Sequence, residues 1–320
     1  LLSYSQGVVL NARVRISLDE LLLLQAEARG FSLLPRQPVN SLLAGRHASR
    51  LRGRGLAFEE LRRYHEGDDI RTMDWKATAR LRTPQVRVYT EERERPVLLI
   101  VDQRQSMFFG SQRAMKSVVA AEAAALGLWR ALDGGDRVGG LVIEDDQIAK
   151  VRPHRSRQRA MQLLHEIVRA NHQVVPDRKG RHASIDGAHR LNEALKQTVQ
   201  IAKHDHLIVL ISDLDGADDE TQRLTTRLAA HNDMIVVAVY DPLGASLQGT
   251  PGMMANDRGR LHQIPASASF TEEFRKAFQR NLDRWREIFR SLRVPVLPIS
   301  TVKSVPDQVR SRLGHPTAAR

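Results

Sequence analysis

The chain has 320 residues, 42% of them hydrophobic and 27% charged, and no cysteine. That length and balance suit one large globular domain or two modest ones and argue against long disorder. The missing thiols exclude disulfides, thiolate metal sites and a cysteine nucleophile. A net charge of +12 arises from 49 basic and 37 acidic residues, spread as 17 against 12 over residues 1–95 and 32 against 25 over 96–320. The basic runs 46–63 and 150–159 carry no interleaved aromatics of the kind that stack on bases. Nucleic-acid binding through this arginine-rich surface therefore stands as the alternative function, not the leading one. No stretch is long and apolar enough for a membrane span, and the first residues lack the pattern of a secretory signal. A cytoplasmic protein is expected.

In chain order, residues 18–29 form a helix, with Ser17 as its N-cap and Glu20 completing a capping box. A Gly- and Arg-rich segment, 45–55, leads into a polar stretch, 58–95. Within that stretch 86–89 alternates like a strand, and 91–95 (EERER) reads as its solvated extension. Beyond Pro96 the character changes. Residues 97–101 (VLLIV) make a buried strand, followed by a helix over 113–132, a strand at 137–143 with a hairpin partner at 148–151, and helices at 157–170 and 191–202. Residues 207–211 (LIVLI) are a second buried strand, followed by a helix at 220–231 and a strand at 234–240. Phe274, Phe278, Leu282, Trp285, Phe289 and Leu292 recur at helical spacing and place a long amphipathic helix over 271–292, before a strand at 294–299.

This alternation predicts an α/β fold with a doubly wound, mostly parallel sheet over residues 96–320, preceded by a small α+β extension over 1–95. Ligands of such sheets sit beyond the carboxyl ends of the strands, where Asp102 and Asp213 both lie. No phosphate-binding loop, dinucleotide fingerprint, zinc-protease helix or nucleophile elbow is present. The expectation is a binding protein, not an enzyme.

Asp102-Gln103-Arg104-Gln105-Ser106-Met107 resembles the D-x-S-x-S-M signature of von Willebrand factor A-type domains. Upstream stand Gly53-x-Gly55, Phe58-x-x-Leu61-Arg62-x-Tyr64, Gly67-Asp68-Asp69-Ile70-Arg71 and Asp74-Trp75-x-x-Thr78-Ala79-Arg80, then Val86-Arg87-x-Tyr89-x-Glu91-Glu92-Arg93. Downstream come Ser212-Asp213 and Tyr240-Asp241-Pro242. Together these resemble the bacterial family catalogued as domain of unknown function 58. The resemblance implies a von Willebrand A-like fold without known catalysis. It also implies an adaptor or co-chaperone role beside a MoxR-type AAA+ ATPase, with a protein client. Many relatives carry two N-terminal membrane helices, which this chain does not show.

The same resemblance implies a metal-ion-dependent adhesion site. Asp102, Ser106 and Asp213 match its ligands. Arg104 stands where the first serine should be, and His189 (or Ser184) at the threonine position. A guanidinium has no acceptor and cannot ligate a cation. Two outcomes stay open: an ion pair on Asp102 that displaces the metal, leaving a degenerate site, or weak Mg²⁺ binding by Asp102, Ser106, Asp213 and water if Arg104 turns outward. Candidate partner contacts are Arg104, His189, Asp215, Asp68, Asp69 and Trp75. Asp68 and Asp69 suit either turn capping or an acidic contact surface. Trp75 and Tyr64 suit packing of the small N-terminal unit against the main domain or a contact hot spot. Arg71 and Arg80 are expected to pair with Asp68, Asp69 or Asp74.

Overall fold

A computed structural model describes residues 13–29, 31, 56–65, 68–91, 96–174, 187–243, 254–257 and 260–313. The elements in chain order are α1 (Leu18–Glu27), β1 (Leu56–Arg63), α2 (Trp75–Leu81), β2 (Gln85–Glu91), β3 (Pro96–Asp102), α3 (Lys116–Asp133), β4 (Arg137–Ile143), β5 (Ile148–His154) and α4 (Arg157–Gln173). There follow α5 (Gly187–Ile201), β6 (Leu207–Ser212), α6 (Asp219–Ala229), β7 (Asp233–Tyr240), β8 (Met254–Asp257), β9 (Arg260–Gln263), α7 (Ala268–Ser291), β10 (Val296–Ser300) and α8 (Val305–Leu313).

Two compact units are present: Leu1–Arg36 with Arg95–Arg320, and Gln37–Glu94. The division expected between 1–95 and 96–320 is thus drawn differently, because α1 belongs to the larger unit. Leu21 of α1 is fully buried, its carbonyl accepts from Trp129 Nε1 on α3 at 2.9 Å, and the carbonyl of Phe31 accepts from Arg130 Nε at 2.7 Å. Ahead of the helix, the Ile16 N–H donates to the buried Asn171 Oδ1 on α4 at 3.0 Å. The Ser17–Glu20 capping box forms as its spacing predicts.

The larger unit is built on a six-stranded sheet of order β10-β7-β6-β3-β4-β5. Five strands run parallel, and the edge strand β5 returns antiparallel to β4. Alternate residues of β3 face opposite sides. Val97, Leu99 and Val101 pack in one core with α1, α3, α4 and α8, while Leu98 and Ile100 pack in a second with α5, α6 and α7. The two cores make three layers. Helix α3 is buried almost all round, as its alanine-rich sequence permits, since small side chains let a helix approach both the sheet and α1. At the bulge in the β4–β5 pairing, a Cβ on Gly139 would stand 2.4 Å from Pro153 N and 2.5 Å from Val151 O, so only glycine fits there.

Chain order fixes where the working crevice lies. The chain enters the sheet at β3, proceeds to β4 on one side, and later returns to β3's other side with β6. The carboxyl ends of β3 and β6 therefore flank the topological switch point.

In the smaller unit, β1 and β2 pair antiparallel with an irregularity between Phe58 and Glu60. Helix α2 begins at Asp74, whose Oδ1 accepts from the N–H groups of Lys76 and Ala77. The expected arginine pairs differ: Arg62 forks Asp68 with two 2.8 Å bonds, and Arg87 Nε reaches Asp74 at 2.9 Å. Asp69 caps a short 3-10 turn at Ile70–Thr72. Strand β1, α2, the β8–β9 hairpin and α8 are all absent from the sequence-based expectations. Each is short or polar, so its periodicity is weak.

Replacing Leu21 with alanine leaves a cavity between α1 and α3 and should cost about 3 kcal/mol of unfolding free energy. Leu23→Ala, at a side chain 74% exposed, should stay within about 0.5 kcal/mol. Urea denaturation of both variants measures the contrast; equal losses would show that α1 is not part of the core.

Candidate functional site

Asp102 ends β3 fully buried, and Arg104, two residues on, is only 2% exposed. The guanidinium turns back on the carboxylate as a fork. Arg104 Nε donates to Oδ1 at 2.9 Å and Nη2 to Oδ2 at 2.7 Å, while the Arg104 N–H also reaches Oδ1 at 3.0 Å. Ser212 Oγ, from the end of β6, donates to Oδ2 at 2.6 Å. Four donors thus occupy the two oxygens. Nη2 also donates to the Asp215 carbonyl at 3.2 Å, so the guanidinium ties the loop after β3 to the loop after β6. Burial disfavours the charged guanidinium, but Asp102, followed by Asp213 and Asp215, outweighs it and raises its pKa.

Asp213, next in the second loop, is met from the first turn of α3. Lys116 Nζ lies 2.5 Å from Oδ2, and the Asp215 N–H donates to Oδ1 at 2.9 Å. Burial alone would raise the Asp213 carboxyl; the charges of Lys116 and Arg104 overcome it and hold the pKa below its ordinary value. Between the two acids, Leu214 adopts a left-handed backbone with φ of 59°, a conformation costing a branched residue about 1 kcal/mol. Its buried side chain and the bond from its N–H to Ser212 Oγ at 2.9 Å hold it there.

Surrounding loops are fastened by further buried polar groups. Gln103 Nε2 donates to the Ser117 carbonyl at 2.9 Å, and its Oε1 accepts from Asn171 Nδ2 at 3.1 Å. The Gln105 N–H donates to Asp145 Oδ2 at 2.9 Å. At the end of β7, the buried Asp241 accepts from the Ser111 N–H, the Ser111 hydroxyl and the Thr301 hydroxyl at 2.8, 2.7 and 2.6 Å.

Of the residues singled out from sequence, Asp102, Arg104, Asp213 and the main chain of Asp215 come together. The Asp215 side chain is exposed. Ser106 lies in the 3-10 turn Gln105–Met107, its hydroxyl oxygen buried with no hydrogen-bond partner. His189 is exposed in the first turn of α5, and among the described residues no hydrogen bond or ion pair joins it to Asp102. Ser184 lies outside the described residues, as does 46–55 of the basic run 46–63. In the other basic run, Arg157 sits 5.2 Å over the Trp129 ring, a structural use. Trp75 is 67% exposed, whereas Tyr64 is half-buried. Asp68 is held at a pKa of about 2 by the Arg62 hydrogen bond and the His65 N–H, so it serves its own turn before any partner. Sequence reasoning missed Lys116, Ser212, Ser111 and Thr301. The signal for Lys116 was indirect: a second buried acid beside Asp102 requires a second positive charge.

A hard divalent cation needs oxygens with lone pairs to give. Here the Asp102 oxygens carry four donors, an Asp213 oxygen is taken by an ammonium, and Arg104 presents only N–H groups. These residues do not fit the ion. Among the described residues, no group of three or more His, Asp or Glu is placed to hold a metal. Of the two outcomes open from sequence, the geometry has the ion pair.

Residues 60–287 match the family model for "Protein of unknown function DUF58". An uncharacterised protein of Mycobacterium tuberculosis and its counterpart in Mycobacterium bovis are each 26% identical over 280 residues, covering 87% of this chain and 85% of the relative. Similar solved structures include the conserved hypothetical protein BatB of Bacteroides thetaiotaomicron, at 14% identity and TM-score 0.40, covering 68% of this chain and 94% of that one. The VWA domain of SpRpn10 is also 14% identical, with TM-score 0.37, covering 71% of this chain and 100% of the domain.

The pairing of Asp213 with Lys116 sets a pH dependence. A carboxylate held below its ordinary value stabilises the fold above the unfolded pKa, near 4, and loses that contribution as pH falls through the folded pKa. Wild type should therefore be more stable than Lys116→Met at pH 7, and the gap should narrow on acidification below about pH 4. Urea midpoints across pH 2–7 read this out, and a gap independent of pH would contradict it.

Proposed function

We propose that this chain, which belongs to the DUF58 family, is a non-enzymatic protein-interaction module with a degenerate adhesion site. One observation carries this: where a sheet of this topology presents its chemistry, the two carboxylates are already engaged by the protein's own donors. Asp102 is neutralised by Arg104 and Asp213 by Lys116, which leaves neither a free general base nor an activated nucleophile at that point. What the crevice retains is a rigid, charge-balanced surface, suited to recognition.

The exposed apolar residues support the same function. Among the described residues of the smaller unit, Trp75, Ile70, Leu81 and Leu61 are 67%, 61%, 56% and 40% exposed. Tryptophan is among the residue types most enriched as the anchor of a protein contact, which makes Trp75 the first candidate of the four. The partner we propose is a MoxR-type AAA+ ATPase, with this chain as adaptor or co-chaperone between it and a protein client in the cytoplasm. His189, exposed at the start of α5, and the exposed Asp215 side chain would border the crevice contact. Among the described residues, no helix is long and apolar enough to cross a membrane.

Co-purification with a tagged ATPase of that class tests the proposal. Association should persist in excess EDTA once nucleotide conditions are matched, and Trp75→Ala should weaken it at least about tenfold, the loss of one hot-spot contact. Association that collapses on chelation alone, or that ignores both Trp75→Ala and Asp215→Lys, would contradict it.

A further inference from the structure

We propose that Arg104 and Lys116 together stand in for a divalent cation, each supplying one of its two charges to one of the two carboxylates that would share it. The grounds are the placement and the charge balance. Asp102 and Asp213 follow adjacent parallel strands, β3 and β6, at the switch point of the sheet. Two buried carboxylates facing one crevice repel each other and require a charge of +2 between them. The chain supplies it from two separate places. Arg104 comes from the loop after β3, as a planar fork that covers both Asp102 oxygens. Lys116 comes from the N-terminal turn of α3 and reaches the Oδ2 of Asp213. Their side chains are 2% and 15% exposed, so neither is a mobile surface charge.

Three details fit replacement better than an ordinary ion-pair network. Arg104 occupies the alternate residue after Asp102, the position from which a side chain in this turn points back at the carboxylate. Ser106, two residues further on, keeps a buried hydroxyl oxygen without a partner, although buried hydroxyls are nearly always bonded. The guanidinium also reaches across to the Asp215 carbonyl, joining two loops as a shared ion would. Unlike an ion, these charges cannot dissociate. The crevice therefore has one state, independent of divalent concentration, where an exchangeable ion would give it two.

This deepens the degenerate-site reading above but is tested without any partner, so each can fail alone. The double variant Arg104→Ser/Lys116→Met restores an oxygen ligand beside Asp102 and releases Asp213. Titration with Mn²⁺, followed by electron paramagnetic resonance of the free ion, should show no bound Mn²⁺ for wild type and one site for the double variant. Saturating Mn²⁺ should raise the variant's melting temperature by about 5 °C, and adding Asp102→Asn should abolish both effects. If the double variant is unfolded without metal, recovery of its circular dichroism with Mn²⁺ supports the proposal and failure to recover overturns it. A wild-type Mn²⁺ site lost on Asp102→Asn, or a folded double variant that binds none, also overturns it.

Discussion

A carboxylate with no solvent contact at the end of a central strand must be matched by positive charge, and in this protein Arg104 supplies it. Leaving Asp102 buried and unpaired would cost several kcal/mol. The fork answers that cost with two aligned bonds, and the Ser212 hydroxyl and the Arg104 N–H complete the acceptor capacity of the oxygens. Because Arg104 also holds the Asp215 carbonyl, the conformations of the loops after β3 and β6 are set by the same contact. The left-handed Leu214 between them is held in place within that frame.

The rest of the larger unit positions this contact. Parallel pairing of β3 with both β4 and β6 brings the two acidic loops side by side. Helix α3, buried between the sheet and α1, starts where Lys116 can reach Asp213. Segment 13–31 closes over the far side of α3 through Ile16, Leu21 and Phe31, all nearly fully buried. Glu122, a buried acid on α3, is paired with Arg13 and Arg113. The same solution recurs at Glu144, met by Arg169 at 2.6 Å. Arginine thus meets Asp102, Glu122 and Glu144, while Asp213 takes Lys116 and Asp241 takes the hydroxyls of Ser111 and Thr301.

The apolar strand runs and the acids at their ends were legible in the sequence, because a fully buried parallel strand is a contiguous hydrophobic segment that stops at a polar turn. From those came the sheet, its switch point and Asp102. The sequence also put Arg104 within reach of Asp102 but left its direction open, since nothing local decides whether a guanidinium two residues on turns inward or outward. Lys116 was not, because its contact with Asp213 spans 97 positions and depends on how α3 enters the sheet. Nor was the place of α1: nothing local distinguishes an amphipathic helix that packs on α3 from one that belongs with the polar stretch after it. In the smaller unit the acids were visible but their partners were not. Arg62 and Arg87 lie on paired strands whose register no local pattern encodes, whereas Arg71 and Arg80 were simply nearer in sequence.

The central claim is that the Asp102–Arg104 pair is a closed internal lock whose members depend on each other. A double-mutant cycle of Asp102→Asn and Arg104→Met, by urea denaturation at neutral pH, measures that dependence directly. The account predicts that each single change destabilises by about 3–4 kcal/mol while the double change costs little more than either, a coupling of about 3 kcal/mol. Additive losses would contradict it.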